Sequence, residues 1–132
     1  MISVIVYKQA NYPVKATIIK EVVKKTLTDC GIFSDSEVEV AIVGKNKTAE
    51  LAFKYLGEEG LEAKEHPVLA FSDSEVERPF IYPPGSKLNL GQIIISYQKA
   101  VEEANKTGKL VDQVVKSLAI HGALHLAGIH HD

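Results

Sequence analysis

The chain is poor in the residues that staple or anchor a protein. One cysteine, Cys30, stands among 132 residues, so no disulfide can close within the chain, and such usage fits a reducing cytoplasm. Tryptophan is absent and Arg78 is the single arginine. No stretch approaches the roughly 18 consecutive apolar residues of a membrane span. The opening Met1-Ile-Ser-Val-Ile-Val-Tyr-Lys8 has neither the charged start nor the long apolar run of a secretory signal. Basic excess is missing too: 15 Lys+Arg face 17 Asp+Glu, a formal net charge of −2. That excludes a dedicated nucleic-acid coat, so contact with nucleic acid has to rest on a local patch. The length suits one ordinary domain over residues 1–132, large enough to bury a core without cross-links.

Hydrophobic period divides the chain. Ser3–Tyr7 is short, β-branched and apolar, as in a strand, and Asn11-Tyr-Pro13 breaks it. From Val14 to Cys30 the period becomes helical, with Ile18, Ile19, Val22, Val23 and Leu27 on one stripe and Gly31 as the stop. Glu37–Val43 alternates charged with apolar residues before becoming fully apolar, which predicts a second strand. Asn46 is the expected N-cap of a helix reaching Leu56, with Gly57 closing it. Glu58 to His66 is charged and reads as solvated, and Pro67–Phe71 as a third strand. Ser72 to Asn89 carries Pro79, Pro83, Pro84 and Gly85 and no period, the pattern of a functional loop and a candidate lid. Gly91–Ser96 reads as a fourth strand, with Ser96 capping a helix that Gly108 ends. A last helix, apolar over much of its circumference through Val111, Val114, Val115, Leu118, Leu124 and Leu126, is expected to be buried on most sides. These periods predict four strands and four helices along the chain.

Four of the five histidines lie in the last twelve residues. His121 and His125 are four apart, so on a helix their rings stand one turn above the other and can converge on one point. His131 follows six residues later. Gly128 lies between, where a residue free to take positive φ can turn the chain back toward the pair. Two imidazoles on an apolar helix cost desolvation unless each finds a partner, and a metal ion satisfies both. The spacing His-x3-His-x2-Gly-x2-His is that of the extended zinc motif of metzincin proteases, with one change. Gly122 stands where those proteases carry the glutamate that takes a proton from the zinc-bound water, so a metallopeptidase is disfavoured. Three imidazoles with an open fourth position still describe a catalytic zinc rather than a structural one.

The run His121-Gly122-Ala-Leu124-His125-Leu126-Ala-Gly128-Ile129-His130-His131 resembles the hallmark of the YbeY family of bacterial ribosomal-RNA maturation endoribonucleases, His-Gly-x-Leu-His-Leu-x-Gly-Tyr-Asp-His. It differs at Ile129 for Tyr and His130 for Asp. Weaker similarity reaches upstream to about Val38, through Leu90-Gly91-Gln92-Ile93 and Pro67–Phe71. The resemblance implies that His121, His125 and His131 hold one zinc ion, that the fold is α+β, a mixed four-stranded sheet packed with about four to five helices and with the metal site on the C-terminal helix and the turn after it, and that the substrate is single-stranded RNA. Where the family reads Tyr-Arg-Gly after its second helix, this chain reads Tyr55-Leu56-Gly57, and Gln92 replaces an Asp.

The function expected is therefore that of a cytoplasmic, zinc-dependent endoribonuclease acting in rRNA maturation and ribosome quality control. A zinc-bound water would do the chemistry, with no side chain assigned as general acid or base. RNA would track along Lys20, Lys24 and Lys25 of the first helix and Lys45, Lys47 and Lys54 around the second. The rival reading is a ribosome-associated module that binds RNA or ribosomal proteins and keeps zinc without cleavage.

Overall fold

The computed structural model describes residues 1–57, 66–72 and 88–129. In chain order the elements are β1 (Ile2–Lys8), α1 (Ala16–Asp29), β2 (Ser36–Val43), α2 (Lys45–Leu56), β3 (Val68–Ser72), β4 (Leu88–Ser96), α3 (Tyr97–Thr107) and α4 (Val111–Ile129). The sheet runs β1-β2-β4-β3, with β1, β2 and β4 parallel and β3 antiparallel to β4. This is the expected mixed four-stranded sheet, with four helices among the described residues.

Alternation along the strands sorts the side chains onto two faces. Val38, Val40, Ile42, Ile93 and Ile95 point to the face that α1 and α4 cover, where Ile19, Val23, Leu27, Val115, Ala119 and Leu126 complete the main core. The opposite face is covered only in part. There α2 lays Ala52 against Val43, Leu69, Phe71 and Ile94, and Tyr55 packs on the Phe71 ring at a centroid distance of 4.9 Å. Beyond α2 this face is open along Ile5, Tyr7, Glu39 and Gln92, and the Gln92 amide donates to the Glu39 carboxylate at 3.1 Å.

Several boundaries moved. The helix expected from Val14 starts at Ala16, because Val14 is spent as a buried core residue ahead of it. Asn46 does not cap α2. The cap is Gly44, whose own side chain offers nothing, and the free amides of the first turn are met from elsewhere in the chain. Gln98 accepts from Lys45 N–H at 2.7 Å and Gln9 from Gly44 N–H at 2.8 Å. At the other end Gly57 takes the left-handed conformation as expected, and Ser96 caps α3 by accepting from Lys99 N–H.

The long loop expected from Ser72 to Asn89 is shorter at both ends. Ser72 closes β3 and Leu88 already opens β4, three residues before the expected Gly91. The pairing of β4 with β2 slips between Glu37 and Val38, leaving Leu90 as the extra residue of a bulge. Residues 73–87, with the candidate lid and Arg78, lie outside the described residues. At the C-terminus, Gly128 makes no turn. It has no positive φ, and the helix continues through Ile129. His130, His131 and Asp132 lie outside the described residues.

Candidate functional site

The last helix is buried on one side only. Val114, Val115, Ala119, Ala123, Leu126 and Ala127 face the core, whereas Leu124, expected inside, is 51% exposed. His121 and His125 lie on the exposed side. The desolvation argument for pairing them through a metal therefore does not apply. What supports a shared ligand is position: they stand one helical turn apart, about 6 Å along the axis at 1.5 Å per residue, and line the same cleft.

That cleft, about 320 Å³, runs along β3. Its walls are Val68 to Phe71, Leu56 at the end of α2, His66, and His121, Gly122 and His125 of α4. β3 is the last strand in the sheet order, so its outer side is an edge among the described residues. Ser96 N–H bonds to the Pro67 carbonyl at 2.9 Å. Antiparallel alternation then directs the Leu69 and Phe71 peptide groups toward β4, and those of Val68 and Ala70 outward, away from β4.

Gly122 has a steric reason. A Cβ built there falls 2.6 Å from Ile93 Cγ2 and 3.1 Å from Ile93 Cγ1, so α4 sits on β4 at a distance that only glycine permits. The missing protease glutamate is thus excluded by packing as well as absent in chemistry. Gly122→Glu is expected to lower stability by about 1–3 kcal/mol through overpacking, read as an earlier urea midpoint, and to confer no casein hydrolysis. A variant as stable as the parent would show that Ile93 yields freely.

His66 was the residue the sequence hid. Its charged surroundings suggested a solvated stretch, but it is half-buried and reaches the same cleft as the α4 histidines. The only available signal was its place just before a strand. Leu56 also lines the cleft, so the position where the family pattern has arginine faces the histidines with an aliphatic side chain. The Gln92 departure falls on the open sheet face instead.

None of the lysines expected to carry RNA lines this cleft. Lys25 pairs with Asp29 at 2.8 Å, Lys45 with Glu102 at 3.1 Å and Lys47 with Glu50 at 3.2 Å. The hydrogen bond from Lys45 holds the Glu102 carboxyl below its ordinary range, and the bond to Asp29 raises Lys25. Lys54 lies over the Tyr55 ring at 5.1 Å.

The donor chemistry of His121 and His125 suits a borderline metal such as zinc. Among the described residues no group of three His, Cys, Asp or Glu is placed to hold an ion. Two of the three expected ligands thus share the cleft, and the third, His131, lies outside the described residues.

Comparison with known proteins bears on this site directly. The family described as Endoribonuclease YbeY matches residues 5–132. An endoribonuclease YbeY of Dehalococcoides mccartyi is 32% identical over 133 residues, covering 98% of this chain and 83% of the relative. That of Moorella thermoacetica is 32% identical over 130 residues, covering 95% and 81%. A third, from Roseiflexus castenholzii, is 28% identical over 132 residues, covering all of this chain and 80% of the relative. These matches place the chain among the RNA-cutting hydrolases. Within that class it belongs to the YbeY family of endoribonucleases. No helix among the described residues is long and apolar enough to cross a membrane.

Proposed function

We propose that this chain is a single-domain, zinc-dependent endoribonuclease that cuts single-stranded RNA in the cleft along β3, serving rRNA maturation and ribosome quality control in the cytoplasm. The observation that carries it is the convergence of His121 and His125 on that cleft, in a chain of this family. His121, His125 and His131 hold the zinc ion. When bound, the metal supplies Lewis acidity, making water a nucleophile near neutral pH and offsetting charge on the scissile phosphate. The protein does the rest. The helix fixes the two imidazoles in register, and Ile93 beneath Gly122 fixes the helix against the sheet. The outward peptide groups of Val68 and Ala70 offer donors and acceptors to a strand lying along the edge, where unpaired bases present theirs.

One observation favours the rival reading of a ribosome-associated module that keeps zinc but has lost cleavage: Leu56 puts no charge at the cleft wall. The two readings separate when zinc-loaded protein is incubated with unstructured RNA and with a duplex, alongside His121→Ala. Cleavage of the single strand alone, lost in the variant, is the expected result. Equal inertness of parent and variant, with RNA or ribosome binding intact, would establish the rival.

A further inference from the structure

We infer that the outer edge of β1 is a homodimer interface, where a second copy of this chain pairs its own β1 antiparallel across a two-fold axis at Ile5 and continues the sheet from one copy into the other. The inference stands apart from the RNA reading of the cleft, which lies along β3 at the opposite end of the sheet order.

Three observations lead to it. First, β1 presents an edge. Gln9 N–H bonds to the Ile42 carbonyl at 2.9 Å and Ser36 N–H to the Met1 carbonyl at 3.3 Å, so the odd-numbered peptide groups of β1 face β2. Those of Ile2, Val4, Val6 and Lys8 therefore face outward, and no described strand pairs with them. Second, β1 lacks the devices by which edge strands resist pairing. Its residues Ile2–Lys8 include no proline, its register with β2 runs without a bulge, and its one charge, Lys8, stands at the end. Third, this edge is complementary to itself. With Ile5 opposite its own copy, Val4 of each chain exchanges peptide hydrogen bonds with Val6 of the other, and Ile2 does so with Lys8. Ile5, 48% exposed in the single chain, then meets its copy on the open face as a non-hydrogen-bonded pair, the kind with the closer side chains. Charge selects this direction. Antiparallel pairing holds the two Lys8 side chains about 20 Å apart, six residues along the strand, whereas parallel pairing would set them side by side as like charges. A two-fold contact of this kind closes at two copies. The two clefts stay clear at the far edges, about 34 Å apart across seven strand spacings.

The test follows the full chain by sedimentation equilibrium from micromolar to near-millimolar concentration. Wild type is expected to pass from one chain mass to two as concentration rises. Ile5→Lys and Ile5→Glu each set like charges across the axis, and each is expected to raise the dimer Kd at least about 10-fold while keeping a folded circular dichroism spectrum. An equimolar mixture of the two variants should recover the dimer, because opposite charges then face each other. In a Cys30→Ser background, Ile5→Cys should close a disulfide between copies on mild oxidation, since facing positions of such a pair lie within the Cα separation that a disulfide spans. Wild type that stays monomeric at every concentration would overturn the inference and leave the edge to an extended segment of another protein. Dimers that neither charge weakens, and that Ile5→Cys does not cross-link, would overturn it by placing the interface elsewhere. Should a charged variant fail to fold, the cross-link decides: a covalent dimer through Ile5→Cys supports the two-fold pairing, and its absence overturns it.

Discussion

Protein carrying His125→Ala is expected to lose its zinc on gel filtration and its cleavage of unstructured RNA together. Removing an outer partner of a metal ligand costs about 10–100-fold in affinity, so removing a ligand should weaken zinc binding by at least about 100-fold, as read by competition with a chromophoric chelator. His121→Ala should behave alike, because the two rings stand one turn apart on one rigid helix and neither can serve without the other. The control is one residue away. Leu124 is exposed at 51% and lines no part of the cleft, so Leu124→Ala should retain zinc and activity. Stoichiometric zinc in His125→Ala would remove the α4 pair from the coordination set.

Gly91→Ala is expected to be the most destabilising single methyl that can be added to the described sheet. The residue has φ +140°, and a Cβ there would lie 2.1 Å from the Phe71 carbonyl oxygen and 2.9 Å from Ser72 Cα. Both obstacles are backbone, and both belong to the strand that lines the cleft. Unfavourable φ costs about 1–3 kcal/mol and overpacking about 1–3 kcal/mol, so a loss of about 2–6 kcal/mol is expected in urea denaturation. That is a large share of the 5–15 kcal/mol typical of a domain. Gly108→Ala separates the causes: φ is +71° there, but nothing lies within 4 Å of the added Cβ. It should show backbone strain alone, and a loss equal to that of Gly91→Ala would mean that contact with β3 contributes nothing.

These two positions differ in how visible they were. The histidines announce themselves by spacing, because four residues on a helix always bring two side chains to one face. Gly91 looked like the start of a strand. Its demand for glycine comes from the antiparallel approach of β3, a segment distant in sequence, and from the bulge at Leu90 that no local pattern marks. Asn46 failed as a cap for the same kind of reason. Local chemistry favoured it, but the helix starts one residue earlier, at Lys45, where Gln9 and Gln98 accept from the Gly44 and Lys45 amides, and only the packed structure brings those side chains near. Gly128 was assigned a turn on the strength of its backbone freedom, and the helix runs through it, since freedom permits a turn without requiring one.

The family resemblance sufficed for the α+β class; periodicity and spacing alone sufficed for four strands, four helices and the helical histidine pair, and residue identity for the absence of a glutamate at position 122. Those are local properties, set by 2.0- and 3.6-residue repeats and by residue identity. Tertiary structure decided that β3 is the last strand of the sheet among the described residues, that its edge and α4 form one cleft, and that His66 and Leu56 belong to it while none of the described lysines does. It also supplied the reason for Gly122, which is the distance between α4 and Ile93. Which residues share a cleft depends on contacts between segments far apart in the chain, and a one-dimensional pattern carries no distance between them.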